Sequence, residues 1–496
     1  MLGRPGPESS STTAADFRPA RTGDIVSRII IELPSQTVAP TQPAVVQASN
    51  DLPPRERDPA RWNGDALLIH TPQSIETVTI IRAVDTIRCE HVEEEWFRHL
   101  AAHVGHTRAL DLSIKALVAA CAYARGVPKL TSGDCYQALA LALNAVQANI
   151  KQSHGELDDD ILASTALLVP FEGVMKSMGV IKKHGIPMRP HVEGLAAILA
   201  ARPARYPVTQ LAREILDFFA CEFAIMACIQ GTPSPFEGVA RAYFANNRMG
   251  YSDSDQAQLK ALGNELFIRI PRLVRLVRSL RLQQSPQNQL LLDALTLSKS
   301  LLRLQDSEAE GRLLQNIKVR PSSDPDVTSL LHQSMHFVSV KDFEALAYYW
   351  QSRLSLLRLE WRLHDLSVSN DVQDDSTDQA GVSFRPSFGP RSNEMFRLVK
   401  NILMCSEYAR TLRLRKHDRL FAHAMVVVWG VTMDVPVALI HDQDGEGTGP
   451  LFDLLLRRVN IALAAKPDLT VEDMHTAADI FVGGEPKGRF AELYCL

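Results

Sequence analysis

His99, His103 and His106 give the spacing H-x3-H-x2-H at the end of a helix predicted to begin near Glu93. Histidines four residues apart share one helix face, which is what a two-histidine zinc site requires. The residue after His99 is Leu100, where a zinc hydrolase would place a glutamate. The expected reading is therefore a solvated helix end whose histidines complement the helix dipole, and no metal ligand is assigned.

The cysteines divide in the same way. Cys89, Cys121, Cys135, Cys221, Cys228, Cys405 and Cys495 contain no C-x-x-C pair. Cys221 and Cys228 fall on one face of an apolar helix with no base nearby, so they are expected to pack as small hydrophobes. Asp442, Asp444 and Glu446, with Gly447 and Asp453, fit the first, third, fifth, sixth and twelfth places of a calcium loop. Gly449 and Pro450 disturb that loop, and its last place lacks the bidentate glutamate, so a flexible acidic turn is expected. Gly445, Gly447 and Gly449 precede no G-K-[ST], and the aspartates beside them would repel phosphate.

Arg269, Arg272, Arg275, Arg278 and Arg281 recur every third residue. Arg413, Arg415, Lys416 and Arg419 form a second basic cluster. Either could contact phosphates, but a charge run on an amphipathic helix is expected to be its polar face, paired with acidic neighbours. No nucleophile elbow, H-E-x-x-H pair, dinucleotide fingerprint or kinase set occurs. No catalytic residue and no cofactor is assigned.

The elements that must position these residues are helical by pattern. The chain has 496 residues, 46% hydrophobic and 22% charged, with a formal net charge of −4. That balance supports a large core and implies no bulk attraction to nucleic acid or to an anionic membrane. Scattered cysteines favour a reducing compartment, and no stretch is apolar for long enough to span a bilayer. Residues 1–60, rich in Pro, Ser and Thr, are expected to be a disordered tail, and 61–496 a helical body.

Within that body, Leu110, Ile114, Leu117, Val118 and Cys121 keep helical spacing, with Thr107 as N-cap and Gly126 and Pro128 as the stop. A second helix starts at Thr131 or Ser132 and should bury Leu139, Leu143 and Val146. A third opens on Asp158, Asp159 and Asp160 and is expected to end or kink at Pro170. Residues 210–230 read as a central apolar helix. Further helices are predicted over 255–281, with a break at Pro271, and over 287–304, 341–366, 393–415, 420–433 and 450–464. Residues 367–391, acidic and carrying Pro386 and Pro390, are expected to form a mobile loop. The fold class is all-α.

The three helices between Thr107 and Val169 lead into His191-Val192-Glu193-Gly194-Leu195-Ala196-Ala197-Ile198-Leu199 and then Arg202-Pro203. The apolar helix that follows ends on Gly231-Thr232-Pro233-Ser234-Pro235-Phe236. This series resembles the fungal-specific transcription factor domain of binuclear zinc cluster regulators, whose members show H-x-x-G-A-x-x-L-L-x-x-R-G-P at this place. Leu195 stands for the usual alanine, and the glycine before Pro203 is absent. The resemblance covers roughly residue 61 to the C-terminus and is strongest over 107–236.

It implies a nuclear transcription regulator of a metabolic or secondary-metabolite gene set, with no catalytic residue. Other regulators or the transcription machinery would be its partners, and a homodimer is possible. The family's DNA-reading module needs six cysteine thiolates sharing two zinc ions, and this sequence has no cysteine before Cys89. DNA would be reached indirectly or through a zinc cluster that these residues do not supply. An interaction or dimerisation scaffold for other regulators, and a helical enzyme with an unrecognised site, stay open as alternatives. Gly194, inside a predicted helix, is expected to mark a close helix crossing, and His191 to cap or pack.

Overall fold

A computed structural model describes residues 80–81, 96–152, 157–179, 189–202, 208–239, 254–282, 288–328, 330–371, 389–412, 415–434, 449–463 and 468–490. The expected tail, 1–60, lies outside them, as do residues 442–448 of the calcium-like turn. So do Arg413, Cys89, Cys495 and the side chains of Arg415, Lys416 and Arg419.

The architecture is all-α, with almost no strand. The first group of helices is α1 (Phe97–His103), α2 (Arg108–Ala124), α3 (Ser132–Gln152), α4 (Asp159–Ser177), α5 (Arg189–Ala201) and α6 (Gln210–Gln230). Their starts are fixed locally. Thr107 accepts from Leu110 N at 3.4 Å, Asp158 from Ile161 N at 2.9 Å and Thr209 from Ala212 N at 3.2 Å, each satisfying an orphan amide of a first turn. Helices α1 to α6 share one core, in which Trp96, Leu110, Ile161, Phe171, Leu195, Phe219 and Phe236 are buried. Val146 is buried as expected, while Leu139 and Leu143 are only partly so.

Helix α7 (Asp255–Leu282) then crosses from α6 to the second half of the molecule. Next come α8 (Asn288–Leu302), α9 (Ser307–Gln315), β1 (Lys318–Pro321), the single turn α10 (Pro325–Thr328) and β2 (Gln333–His336). The chain continues through α11 (Val340–Asp371), α12 (Gly389–Met404), α13 (Ser406–Leu412), α14 (Arg415–Asp434), α15 (Gly449–Leu463) and α16 (Val471–Ile480). Strands β1 and β2 pair antiparallel, Lys318 opposite His336 and Pro321 opposite Gln333. A second core gathers Trp350, Leu354, Leu398, Val428, Trp429, Leu455 and Met474. A third, between α7, α8 and α11, holds Leu266, Leu273, Val274, Leu301 and Leu359.

Several expectations are corrected. Helix α4 runs through Pro170 to Ser177, and α7 through Pro271 to Leu282. A proline inside a helix loses one backbone hydrogen bond and clashes with the preceding turn, at a cost of about 3 kcal/mol. Phe171 and Met175 beyond Pro170, and Leu273, Val274 and Val277 beyond Pro271, are fully buried. That burial offsets the cost, since each large side chain contributes about 1.5–3 kcal/mol. Of the loop expected over 367–391, residues 367–371 belong to α11 and 389–391 to α12, while 372–388 lie outside the described residues. The helix expected over 393–415 divides at Cys405 into α12 and α13.

The crossing expected at Gly194 is also absent. A Cβ built there would meet only the Thr165 methyl, at 4.0 Å, an ordinary contact. The tight crossing lies at Gly263, where a Cβ on α7 would stand 3.2 Å from the Tyr348 carbonyl carbon and 3.3 Å from the Tyr349 nitrogen of α11.

Candidate functional site

The histidine series does not act as one face. Helix α1 is short and its histidines go to different acids. His99 Nε2 lies 3.1 Å from Glu214 Oε2 on α6, and Arg98 and Gln210 donate to the other oxygen at 3.0 and 2.9 Å. Burial pushes the Glu214 carboxyl up, but the hydrogen bonds from His99, Gln210 and Arg98 outweigh it and hold the group down to about 2. His103 Nδ1 lies 2.8 Å from Asp160 Oδ1 in the first turn of α4. That hydrogen bond raises the His103 pKa against a smaller lowering by burial.

Gly105, at φ 87°, turns the chain after α1 and its amide donates to Asp111 at 2.9 Å. The turn places the exposed His106 ring 5.6 Å from that of His103, at 62°. His103, His106 and Asp160 each offer a ligand atom within 4.8 Å of the others. The expected solvated helix end thus describes His106 alone. Of the three aspartates, Asp158 caps α4, Asp159 pairs with Arg202, and Asp160 turns inward at 6% exposure.

Helix α5, the C-terminal half of α6 and the segment after it meet at a cleft of about 310 Å³. Its walls are Val192, Ala196 and Ala200 of α5, Phe223 and Met226 of α6, and Pro233 and Pro235 of the segment that follows. That segment is set by the end of α6. Gly231 stops the helix in the left-handed conformation, at φ 65°, and Thr232 N donates back to Ala227 O at 3.0 Å. Phe236 is fully buried and anchors the turn in the first core, while Phe236 N donates to Ser234 Oγ at 3.3 Å. His191, in the first turn of α5, contacts Glu172 Oε1 at 3.1 Å, so it packs across to α4 and stands apart from the cleft walls. With a mostly apolar wall and Glu193, Gln230 and Thr232 at its edges, the cleft is built to hold an apolar group.

Four of the five arginines on α7 are engaged within the protein. Arg269 pairs with Glu265 at 2.9 Å and Arg272 with Glu237 at 3.1 Å. Arg281 reaches both oxygens of Asp479, at 2.8 and 3.1 Å. Arg278 donates to the carbonyls of Ile229 and Cys228 at 3.0 and 2.8 Å, so it satisfies the C-terminal end of α6 and ties the two halves together. Arg275 is exposed. The pairing with acidic neighbours expected for this face holds at Arg269, Arg272 and Arg281. Cys221 and Cys228 are buried, and burial pushes both thiols up to about 12, which leaves them inert.

One cluster escaped the sequence reading. Arg358 on α11 is buried at 2% exposure, with Nε 2.6 Å from Asp434 Oδ2 and Nη1 donating to the carbonyl of Ala478. Arg362 holds the other oxygen of Asp434. Gly430 makes the room, because a Cβ there would run into Arg358 Nη1. Burial pulls the guanidinium pKa down and Asp434 opposes it. Arg358 sits among Leu354, Leu357 and Leu359 in sequence and differs in no pattern from the other arginines of α11, so only its distant partners reveal it. A cleft of about 240 Å³ opens beside it, lined by Arg362, His475, Asp479, Glu485 and Lys487.

Among the described residues no helix is long and apolar enough to cross a membrane. Comparison of the chain with family models, with curated proteins and with solved structures finds no match.

Proposed function

We propose that the chain is a nuclear transcription regulator of a metabolic or secondary-metabolite gene set, working through contacts of its helical body. The observation that supports the reading is the shared cleft. Val192, Ala196 and Ala197 of the first segment on which the resemblance rests, and Thr232, Pro233 and Pro235 of the second, come from separate parts of the sequence yet wall one apolar cleft. An apolar side chain of a partner regulator, or a small effector, would seat there. Engagement of Arg269, Arg272, Arg278 and Arg281 inside the protein favours protein contacts over direct binding of DNA phosphates by that helix. In this reading DNA is reached through a partner or through a zinc cluster on other residues.

The test is deletion of the gene with transcript profiling, alongside an Ala200→Trp variant that fills the cleft. A defined gene set is expected to change on deletion and to change in the same direction with Ala200→Trp, at unaltered protein level. Unchanged transcripts across the genome after deletion would overturn the proposal. A second reading, a scaffold that titrates zinc cluster regulators, draws on the same cleft. It is distinguished by pull-down of such regulators in cells whose target transcripts respond only to partner dosage.

A further inference from the structure

We propose that His103, His106 and Asp160 bind one divalent transition-metal ion, with zinc as the best fit to their chemistry. Two imidazoles and one carboxylate form the nitrogen and oxygen donor set of three-ligand zinc sites, which leave the fourth position open. Three observations converge on it. The first is proximity: all three ligand atoms lie within 4.8 Å of one another, and His103 Nδ1 and Asp160 Oδ1 are already 2.8 Å apart. Donors bound to zinc at about 2.0–2.1 Å in a tetrahedron lie about 3.3 Å apart. The remaining contraction, roughly 1.5 Å, falls to His106, whose side chain is exposed.

The second is charge. Asp158, Asp159 and Asp160 stand in a row, and Arg202 occupies only Asp159. With His103 neutral, the cluster carries a net charge of about −2 on this count, which suits a dication. The positive end of α4 works against a cation here, but at about 0.3–1 kcal/mol it is small beside ligation by three groups. Asp160 is held rigidly, buried at 6%, while its neighbour Asp158 caps the helix and fixes its start.

The third is access. His106 also lines a cleft of about 530 Å³ together with Arg108 and with Asn144, Ala148 and Asn149 of α3. The Asn149 amide nitrogen is buried there without a hydrogen-bond partner. An ion held by three protein ligands would present its open position, with water or a small anionic ligand, on the His106 side. On binding, the ion takes the place of the His103 Nδ1–Asp160 hydrogen bond, and the single ring proton of neutral His103 is carried on Nε2.

The test uses the full-length chain, stripped with chelator, dialysed against zinc and assayed for metal by mass spectrometry, with cobalt as an optical probe. One zinc per chain is expected, with a cobalt spectrum of nitrogen and oxygen ligation at low coordination number. Loss of outer-shell partners alone costs 10–100-fold in metal affinity, so removing a ligand with His106→Ala should weaken binding at least about tenfold. His106 is exposed, and that variant should retain the parent's circular dichroism. Asp160→Asn should weaken binding at least as much. His99→Ala should bind as the parent does, because His99 serves Glu214. Substoichiometric zinc in the parent, or affinity unchanged in His106→Ala, would overturn the proposal. So would loss of binding in His99→Ala with His106→Ala unaffected.

Discussion

One chemical change, glycine to alanine inside a helix, should have opposite effects at two places in this protein. Within a helix interior, alanine gains about 1 kcal/mol over glycine because less chain entropy is lost on folding. At Gly194 on α5 nothing opposes that gain, since the new Cβ meets only the Thr165 methyl at 4.0 Å. Gly194→Ala is expected to stabilise the protein by about 1 kcal/mol. At Gly263 on α7 the same Cβ comes within 3.2 and 3.3 Å of the backbone of Tyr348 and Tyr349. Backbone atoms in the middle of α11 cannot rotate away, so the helices must separate by a few tenths of an ångström.

Overpacking of this kind costs about 1–3 kcal/mol, and the helical gain of about 1 kcal/mol offsets only part of it. Gly263→Ala is therefore expected to destabilise by about 1 kcal/mol, which places the two variants about 2 kcal/mol apart. Urea unfolding followed by far-ultraviolet circular dichroism, with midpoints compared at equal slope, reads the difference. A rise in midpoint for Gly263→Ala, or a fall for Gly194→Ala, would refute the packing argument at that site. Gly263→Val should be worse than alanine in either case, because it adds bulk at the same contact and a β-branch on a helix.

Asp434→Ala should cost about 3–5 kcal/mol, because it leaves the buried Arg358 without its partner. The double variant Arg358→Leu/Asp434→Ala should recover most of that loss in the same unfolding assay, and a double variant as unstable as Asp434→Ala would contradict the account. His423, buried against Phe267 and Phe481 with Nδ1 3.0 Å from Gln351 Oε1, is pushed by desolvation from 6.5 down to about 4. Between those values the unfolded chain binds more protons than the folded one, so the contribution of His423 is complete above about 6.5 and is lost as pH falls towards 4. The loss amounts to about 3 kcal/mol, and a His423→Gln variant should show a correspondingly flatter pH dependence of its unfolding midpoint over that window.

How much of this was legible in the sequence depended on the range of the interaction that decides each feature. Helices whose ends are set by neighbours within four residues could be read closely. Thr107 caps α2, Asp158 caps α4, and α6 spans the 210–230 of the apolar run. Pro170 and Pro271 misled because the local penalty is real, while the burial that outweighs it belongs to partners elsewhere in the fold. Strand β1 gave no signal because all four of its residues are exposed, and alternation exists only where one face is buried. The same limit governs the sites. The spacing of His99 and His103 suggested a shared ligand face, but their acids come from Glu214 and Asp160, 115 and 57 residues away, and these pull the two rings apart. The useful neighbour of His103 is His106, brought close by the turn at Gly105. The three-residue spacing of that pair stood in the histidine series, but the helix ends at His103, so the turn at Gly105 brings the rings together and the distant Asp160 completes the set. A donor set of this kind becomes visible once a turn residue, a capping aspartate and the buried aspartate two places on are read together as one corner of the fold.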